Sequence, residues 1–348
     1  VMEEGHEHWF GPNSNVMTAG FNPQVTGRYF WGPTLIIRKG DNVSMSVTNN
    51  LKDTTTVHWH GMHLPAEMDG GPHQPIAPGT TWKPNWKVMN NAATYWYHPH
   101  LHMMAEEQLL MGLGGMIIVR DDDEAKLALP RTYGVDDIPL ALSDRAFTPD
   151  GQISIEPYGD SMQVNGVIRA QFTVPSQVVR FRILNSSTER SYYLGFGDNR
   201  KFSVIASDGG LLNAPVELTR YLLSAGERIE ILVDFGADKG KSIKLRAFNS
   251  ILPQSIPGGD RIPNGIFNNI LARVDFDVLN INVGDPTANA ITAIPKQLAV
   301  VAPLKEADAF VTRKVTISDT NIQGNAGTSF ILNHRLYKDD YIDYKVGL

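Results

Sequence analysis

The chain has 348 residues, 42% of them hydrophobic and 20% charged, with a formal net charge of −6; that is enough apolar material for two or more buried cores. No basic run exceeds two residues, which excludes a nucleic-acid footprint, and the longest apolar stretch, Leu109 to Val119, is interrupted by three glycines and too short to span a bilayer. There is no cysteine, so disulfides, thiolate catalysis and zinc ribbons are excluded within these residues.

The opening residues Val1-Met2-Glu3-Glu4 lack the basic and apolar parts of an export signal, so any such signal is expected to have been removed already, a pattern that equally fits a cytosolic protein. Thr34 to Arg38 and Val43 to Val47 are rich in β-branched residues and predict strands. Met103 to Met111 is the best short helix candidate. Val178 to Ile183 predicts a further strand. Gly-Asp, Asn-Asn, Pro-Gly and Asp-Gly pairs punctuate these runs, so an all-β fold of Greek-key sandwiches follows.

A weak internal repeat divides the chain. Gly32 to Asn49 is the first copy, Val164 to Asn185 the second, and Ile331 to Gly347 begins a third. The expected map is a first sandwich over 1–123, closed by the acidic Asp121-Asp122-Asp123-Glu124. A second follows over 131–283, then a polar, Pro-containing linker over 284–305 and the start of a third sandwich over 306–348. A stub of about 43 residues cannot bury a two-sheet core by itself.

Seven of the ten histidines fall between residues 58 and 102. They include two H-x-H motifs, His58-Trp59-His60 and His98-Pro99-His100. On a strand, residues i and i+2 share a face roughly 6.6 Å apart. Two such pairs on neighbouring strands would present four imidazoles to one cavity, which suits one or more borderline ions such as copper or zinc. Pro99 cannot donate to a sheet ladder and predicts a strand end or edge.

The longer segments around these motifs are similar to the multicopper oxidase family. Thr55-Thr56-Val57-His58-Trp59-His60-Gly61-Met62-His63-Leu64-Pro65, followed by Met68-Asp69-Gly70-Gly71-Pro72-His73-Gln74, resembles its first copper motif. Tyr95-Trp96-Tyr97-His98-Pro99-His100-Leu101-His102, with Gly112 to Val119, resembles its second and the closing strand. Leu222 to Arg228, running on to Asp234-Phe235, resembles the family's second-domain signature.

The resemblance implies tandem cupredoxin-like sandwiches and a trinuclear copper cluster that reduces dioxygen to water. By motif position, His58 would bind the type 2 copper, and His60, His98 and His100 the type 3 pair. Asp69, eleven residues after His58, would be a proton relay to the cluster, with an Asp-Gly turn as its other reading. His63, His73 and His102 are expected beside the ligands or in simple packing. His6, His8 and His334 are expected at the surface. Met103, Met104 and Met111 read as core filling rather than a cuprous-ion site, and Trp59 and Trp96 as packing beside the ligand strands. The second sandwich, without histidine from 131 to 283, would act as a spacer.

The pattern is incomplete here. The family's remaining four cluster ligands and its type 1 copper belong to a C-terminal cupredoxin domain, through H-P-x-H-x-H and H-C-H motifs. His58 follows Gly40 by 18 residues, so by analogy the later ligands should lie about 20 or more residues past Gly347. The 348 residues are therefore expected to be part of a longer polypeptide and not to turn over alone. The resemblance implies a laccase-like oxidase taking electrons from phenols, aromatic amines or metal ions such as Cu(I). It also implies export to the periplasm or the cell exterior. The alternatives are a copper-free structural or cell-division relative, which would have lost its motif histidines first, and a copper-binding resistance protein, which would carry dense methionine and histidine repeats.

Overall fold

The computed structural model describes residues 1–253, 256–258, 270–321 and 328–335. It falls into two compact units, Val1–Val300 and Val301–Leu348. In the second unit a 3-10 turn at Glu306–Asp308 precedes an antiparallel pair, Ile317–Asn321 with Thr328–Leu332. Residues 342–347, where the third repeat copy is expected to continue, lie outside the described residues. Among the described residues no helix is long and apolar enough to cross a membrane.

The first unit contains two cores, and the structure is all-β apart from short helices. The N-terminal core is closed by a four-stranded sheet in the order Leu35–Arg38, Gly115–Arg120, Ala93–His98, His58–His60. Strand alternation sorts the side chains of this sheet. Tyr95, Tyr97, Ile117, Val119 and Trp59 turn inward, where they meet Val43, Val47 and Trp86 from the short opposing pairs. Thr94, Trp96 and His98 therefore occupy the other face, and Met116 and Ile118, paired with Trp96 and Thr94, share it. Gly115 is required by this packing, because a Cβ there would stand 2.2 Å from the Tyr97 ring, whose hydroxyl donates to the Pro33 carbonyl at 2.8 Å. The one predicted helix forms at Ala105–Leu110, held by its buried Gln108, Leu109 and Leu110.

The second core lies between two larger sheets. One runs Val167–Ile168, Ser161–Val164, Asp137–Phe147, Val178–Asn185, Arg228–Asp234, Phe202–Ser207, Gly210–Leu218; the other runs Gln171–Pro175, Asp275–Gly284, Ser242–Phe248, Tyr192–Phe196, Arg220–Leu223. Val179, Phe181 and Ile183 point between them with Tyr192, Phe196 and Phe235. The expected linker is not free: Ile291, Ile294 and Leu298 pack against Leu129, Ile205 and Leu232. The Val178 N–H donates to the Ile291 carbonyl at 2.8 Å, and the Gln177 side-chain oxygen accepts from both the backbone and the hydroxyl of Thr287 at 2.9 Å.

Val178–Asn185 is buried along its whole length. A strand buried on both faces normally reads as a continuous apolar run, yet this one carries Arg180 and Arg182, 0% and 1% exposed. Both turn away from their own core toward the outer face of the histidine-bearing sheet. Arg182 donates to Asp137 at 2.7 Å, to Glu230 at 2.6 Å and to the Thr94 hydroxyl at 3.1 Å. Arg180 donates to Glu230 at 2.9 Å and to Glu124 at 2.6 Å, and Arg120 reaches Asp137 and Glu124. Beside these charges Trp96, Leu109 and Met116 pack on Ala141 and Leu184. The sheet face that carries the histidines is thus also the seam between the two sandwiches.

Candidate metal centre

The two H-x-H motifs meet across one antiparallel pair, with His58 opposite His98 and His60 opposite Trp96. Because Trp59 and Tyr97 face the core, the histidines face out together. One ring nitrogen from each of His58, His60 and His98 lies within 4.8 Å of the others. Their ring centroids are 5.3 to 5.7 Å apart. His100 stands at the edge of this group: its ring is 5.1 Å from that of His58 and 5.9 Å from that of His98, but it is exposed and not one of the three whose donors converge. Pro99 lies just past the strand Ala93–His98, at a strand end as its missing N–H requires.

The hydrogen bonds set the tautomers. His98 Nδ1 faces the Pro99 carbonyl at 2.8 Å; a carbonyl only accepts, so Nδ1 carries the proton and Nε2 the lone pair. That lone pair accepts from His60 Nδ1 at 3.1 Å, which leaves His60 Nε2 as its acceptor atom. His58 Nδ1 faces the backbone carbonyl of Asp69 at 3.0 Å, so His58 Nε2 is likewise a lone pair. The same carbonyl accepts from the Trp59 N–H at 3.3 Å. This close approach needs Gly70, which has φ +75° and where a Cβ would stand 1.8 Å from the Val57 carbonyl oxygen.

Electrostatics keeps these rings ready for a metal. Burial, the Arg228 guanidinium and the neighbouring histidines push the pKa of His60 down to about 4. Burial pushes His98 down to about 3, with the Pro99 carbonyl opposing and the other imidazoles adding to the shift. Both are neutral at neutral pH, as a metal ligand must be. For His58 burial works the same way, but the Asp69 carboxylate and carbonyl outweigh it and raise its pKa. The Asp69 carboxylate is 39% exposed and lies 3.4 Å from His58 Nδ1, on the proton-bearing side of that ring.

The remaining expectations divide. Trp96 packs on the histidine rings, its centroid 4.0 Å from His98 and 5.2 Å from His60. Trp59 packs beside the same strand from the core side, 6.0 Å from Tyr97, 5.1 Å from Trp86 and 6.3 Å from Trp82. His63, His73 and His102 are exposed, as are His6, His8 and His334. Met103 is 87% exposed and fills no core, because its φ of +63° lies in the turn before the helix. Two contributors were not anticipated. Arg228, from the second sandwich, donates to the Thr94 carbonyl at 3.2 Å and closes on Gly61, directly after the first motif. The Thr56 hydroxyl accepts from the His100 N–H at 2.6 Å. Arg228 sits in the segment that resembled a second-domain signature, which was the only hint of it; Thr56 had no signal beyond its place in the first motif.

Comparison with known proteins agrees with this geometry. Two family models, both described as multicopper oxidase, match residues 14–124 and 143–247. The chain is 35% identical over 254 residues to the multicopper oxidase mco of Staphylococcus epidermidis, covering 70% of this chain and 54% of that protein. It is 37% identical over 252 residues to the cell division protein FtsP of Escherichia coli, covering 70% and 53%. The crystal structure of McoA multicopper oxidase from Aquifex aeolicus superposes with a TM-score of 0.80 at 31% identity, over 97% of this chain and 71% of that one. The chain thus spans little more than half the length of the two curated relatives.

Proposed function

The chain belongs to the multicopper oxidase family, and from that premise we propose that it forms the first half of a copper site in a laccase-like oxidase. The observation that carries this is the convergence of one ring nitrogen from each of His58, His60 and His98 on one sheet face. Neutral imidazoles in that number suit copper. Copper held there would supply the redox chemistry that turns dioxygen into water.

The chain's own residues have separable tasks in this reading. His58 would hold the type 2 copper, and His60, His98 and His100 the type 3 pair. The Asp69 and Pro99 carbonyls hold the Nδ1 protons of His58 and His98, so that Nε2 faces the site. Trp96 closes one side of the pocket against water. The Asp69 carboxylate, open to solvent and beside His58, would pass protons inward. A C-terminal cupredoxin domain would provide the other ligands and the type 1 copper. Phenols, aromatic amines or ions such as Cu(I) would be the electron donors, and the periplasm or cell exterior the location.

A second reading is a structural, copper-free role such as one in cell division, favoured by the likeness to the cell division protein FtsP. Metal analysis of the complete protein separates the two. The oxidase reading predicts bound copper and oxygen uptake with a phenolic donor. His98→Ala should abolish the uptake and lower the copper content while sparing any blue type 1 colour. A complete protein that takes up no copper would leave only the structural role.

A further inference from the structure

The ladder joining the two motifs stops at the His58–His98 pair. Pro99 has no N–H, so His100 offers the first backbone donor past the ladder. That donor goes to the hydroxyl of Thr56, two residues before His58, at 2.6 Å. Thr56 is 0% exposed, and so is Thr55. Their mount is rigid. The Thr55 hydroxyl donates to Gln108 Oε1 at 2.7 Å, and Gln108 Nε2 donates to the Thr54 carbonyl at 2.8 Å. Thr55 also exchanges both backbone bonds with Ile76, at 3.1 and 2.8 Å. His100, by contrast, is exposed and lies beyond its strand.

We infer that Thr56 is a positioning residue for the copper site: its hydroxyl fixes the backbone at His100 and so decides whether that imidazole serves as the fourth ligand. This rests on the copper reading above. A ligand set must be held to within a fraction of an ångström. The Pro99–His100 segment has no sheet bond of its own to hold it there. Thr56 provides the bond from the segment leading into the strand His58–His60, and so couples the two motifs at a second point.

The test uses the complete protein with Thr56→Val, which keeps the shape and removes the acceptor, and Thr56→Ser, which keeps the hydroxyl. In metal-free protein the His100 amide should be protected from hydrogen exchange in the wild type and in Thr56→Ser. It should exchange faster in Thr56→Val. Cu(II) affinity, measured against a competing chelator, should fall about 10–100-fold in Thr56→Val, the usual cost of an outer-shell partner. The Cu(II) electron-spin spectrum should then match that of His100→Ala, with Thr56→Ser close to wild type. An unprotected His100 amide in the wild type overturns the inference even if Thr56→Val fails to fold. So does wild-type affinity in Thr56→Val or in His100→Ala. A wild-type protein that binds no copper at all overturns the copper reading itself, and this inference with it.

Discussion

One strand, Ala93–His98, takes part in two opposite kinds of polar structure. His98 stands at one end of its outer face and Thr94 at the other, about 13 Å away along the strand, with Trp96 between them. At the Thr94 end Arg120, Arg180 and Arg182 meet Glu124, Asp137 and Glu230 in a dry seam. Every one of these groups is an ion with a counter-ion. At the His98 end two of the three clustered rings, His60 and His98, are held neutral by burial. Burying charges is tolerable when each is paired and hydrogen-bonded. Gathering neutral imidazoles on one face makes sense where a cation is to come. The difference between a staple and a candidate metal site is therefore whether the chain supplies the opposing charge itself.

The largest effect should come from breaking the closed end. Glu230 accepts from Thr94, Arg180 and Arg182 and is 1% exposed. Glu230→Ala leaves two guanidinium groups short of a partner in a dry interface, which costs about 3–5 kcal/mol. Urea unfolding measures the loss. If the two ends are distinct, the folded fraction keeps its histidine group and whatever copper uptake the wild type shows. Loss of copper binding with the fold intact would mean that the seam and the metal site are one structure.

Acid should open the same end next. For Asp137 and Glu230 burial alone would raise the pKa, but Arg180 and Arg182 overcome it and hold both below the ordinary carboxylate values. A depressed carboxylate adds stability that is complete above the unfolded-state pKa, near 4. That stability is lost as pH falls through the lower folded value. The unfolding midpoint should therefore hold down to about pH 4 from these groups and drop below it. In Glu230→Ala that drop should be shallower. An equal drop in the variant would place the acid sensitivity elsewhere.

The histidine end was the more legible of the two in sequence. Its signal is local: period-2 spacing puts His58 and His60 on one face, and Pro99 marks where the ladder stops. The seam is not local. Val178-Val179-Arg180-Phe181-Arg182-Ile183 alternates like a strand with one face in water. Nothing in those residues says that a second sandwich covers the arginines. Their partners Glu124, Asp137 and Glu230 are 56, 45 and 50 residues away in the chain. Alternation also puts Trp59 and Trp96 on opposite faces, so one packs beside the strand Ala93–His98 from the core and the other on the histidine rings.

The smallest expected effect tests what holds the open end in place. Asp69 touches His58 twice, through its carbonyl at 3.0 Å and its carboxylate at 3.4 Å. The carbonyl distance is a hydrogen bond, and Gly70 presses that loop against Val57. The carboxylate is longer and 39% exposed; it raises the His58 pKa but, being solvent-screened, holds the ring in place less firmly than the carbonyl. Orientation of His58 should then depend on the backbone. Asp69→Asn keeps the backbone and removes the charge. Its Cu(II) affinity should change by well under the about 10-fold that losing an outer-shell partner costs, while oxygen uptake slows if the carboxylate delivers protons. Gly70→Ala, which displaces the carbonyl and keeps Asp69, should show the reverse order, with affinity falling first. Loss of copper in Asp69→Asn equal to that in Gly70→Ala would show that the open end, like the closed one, is held by charge.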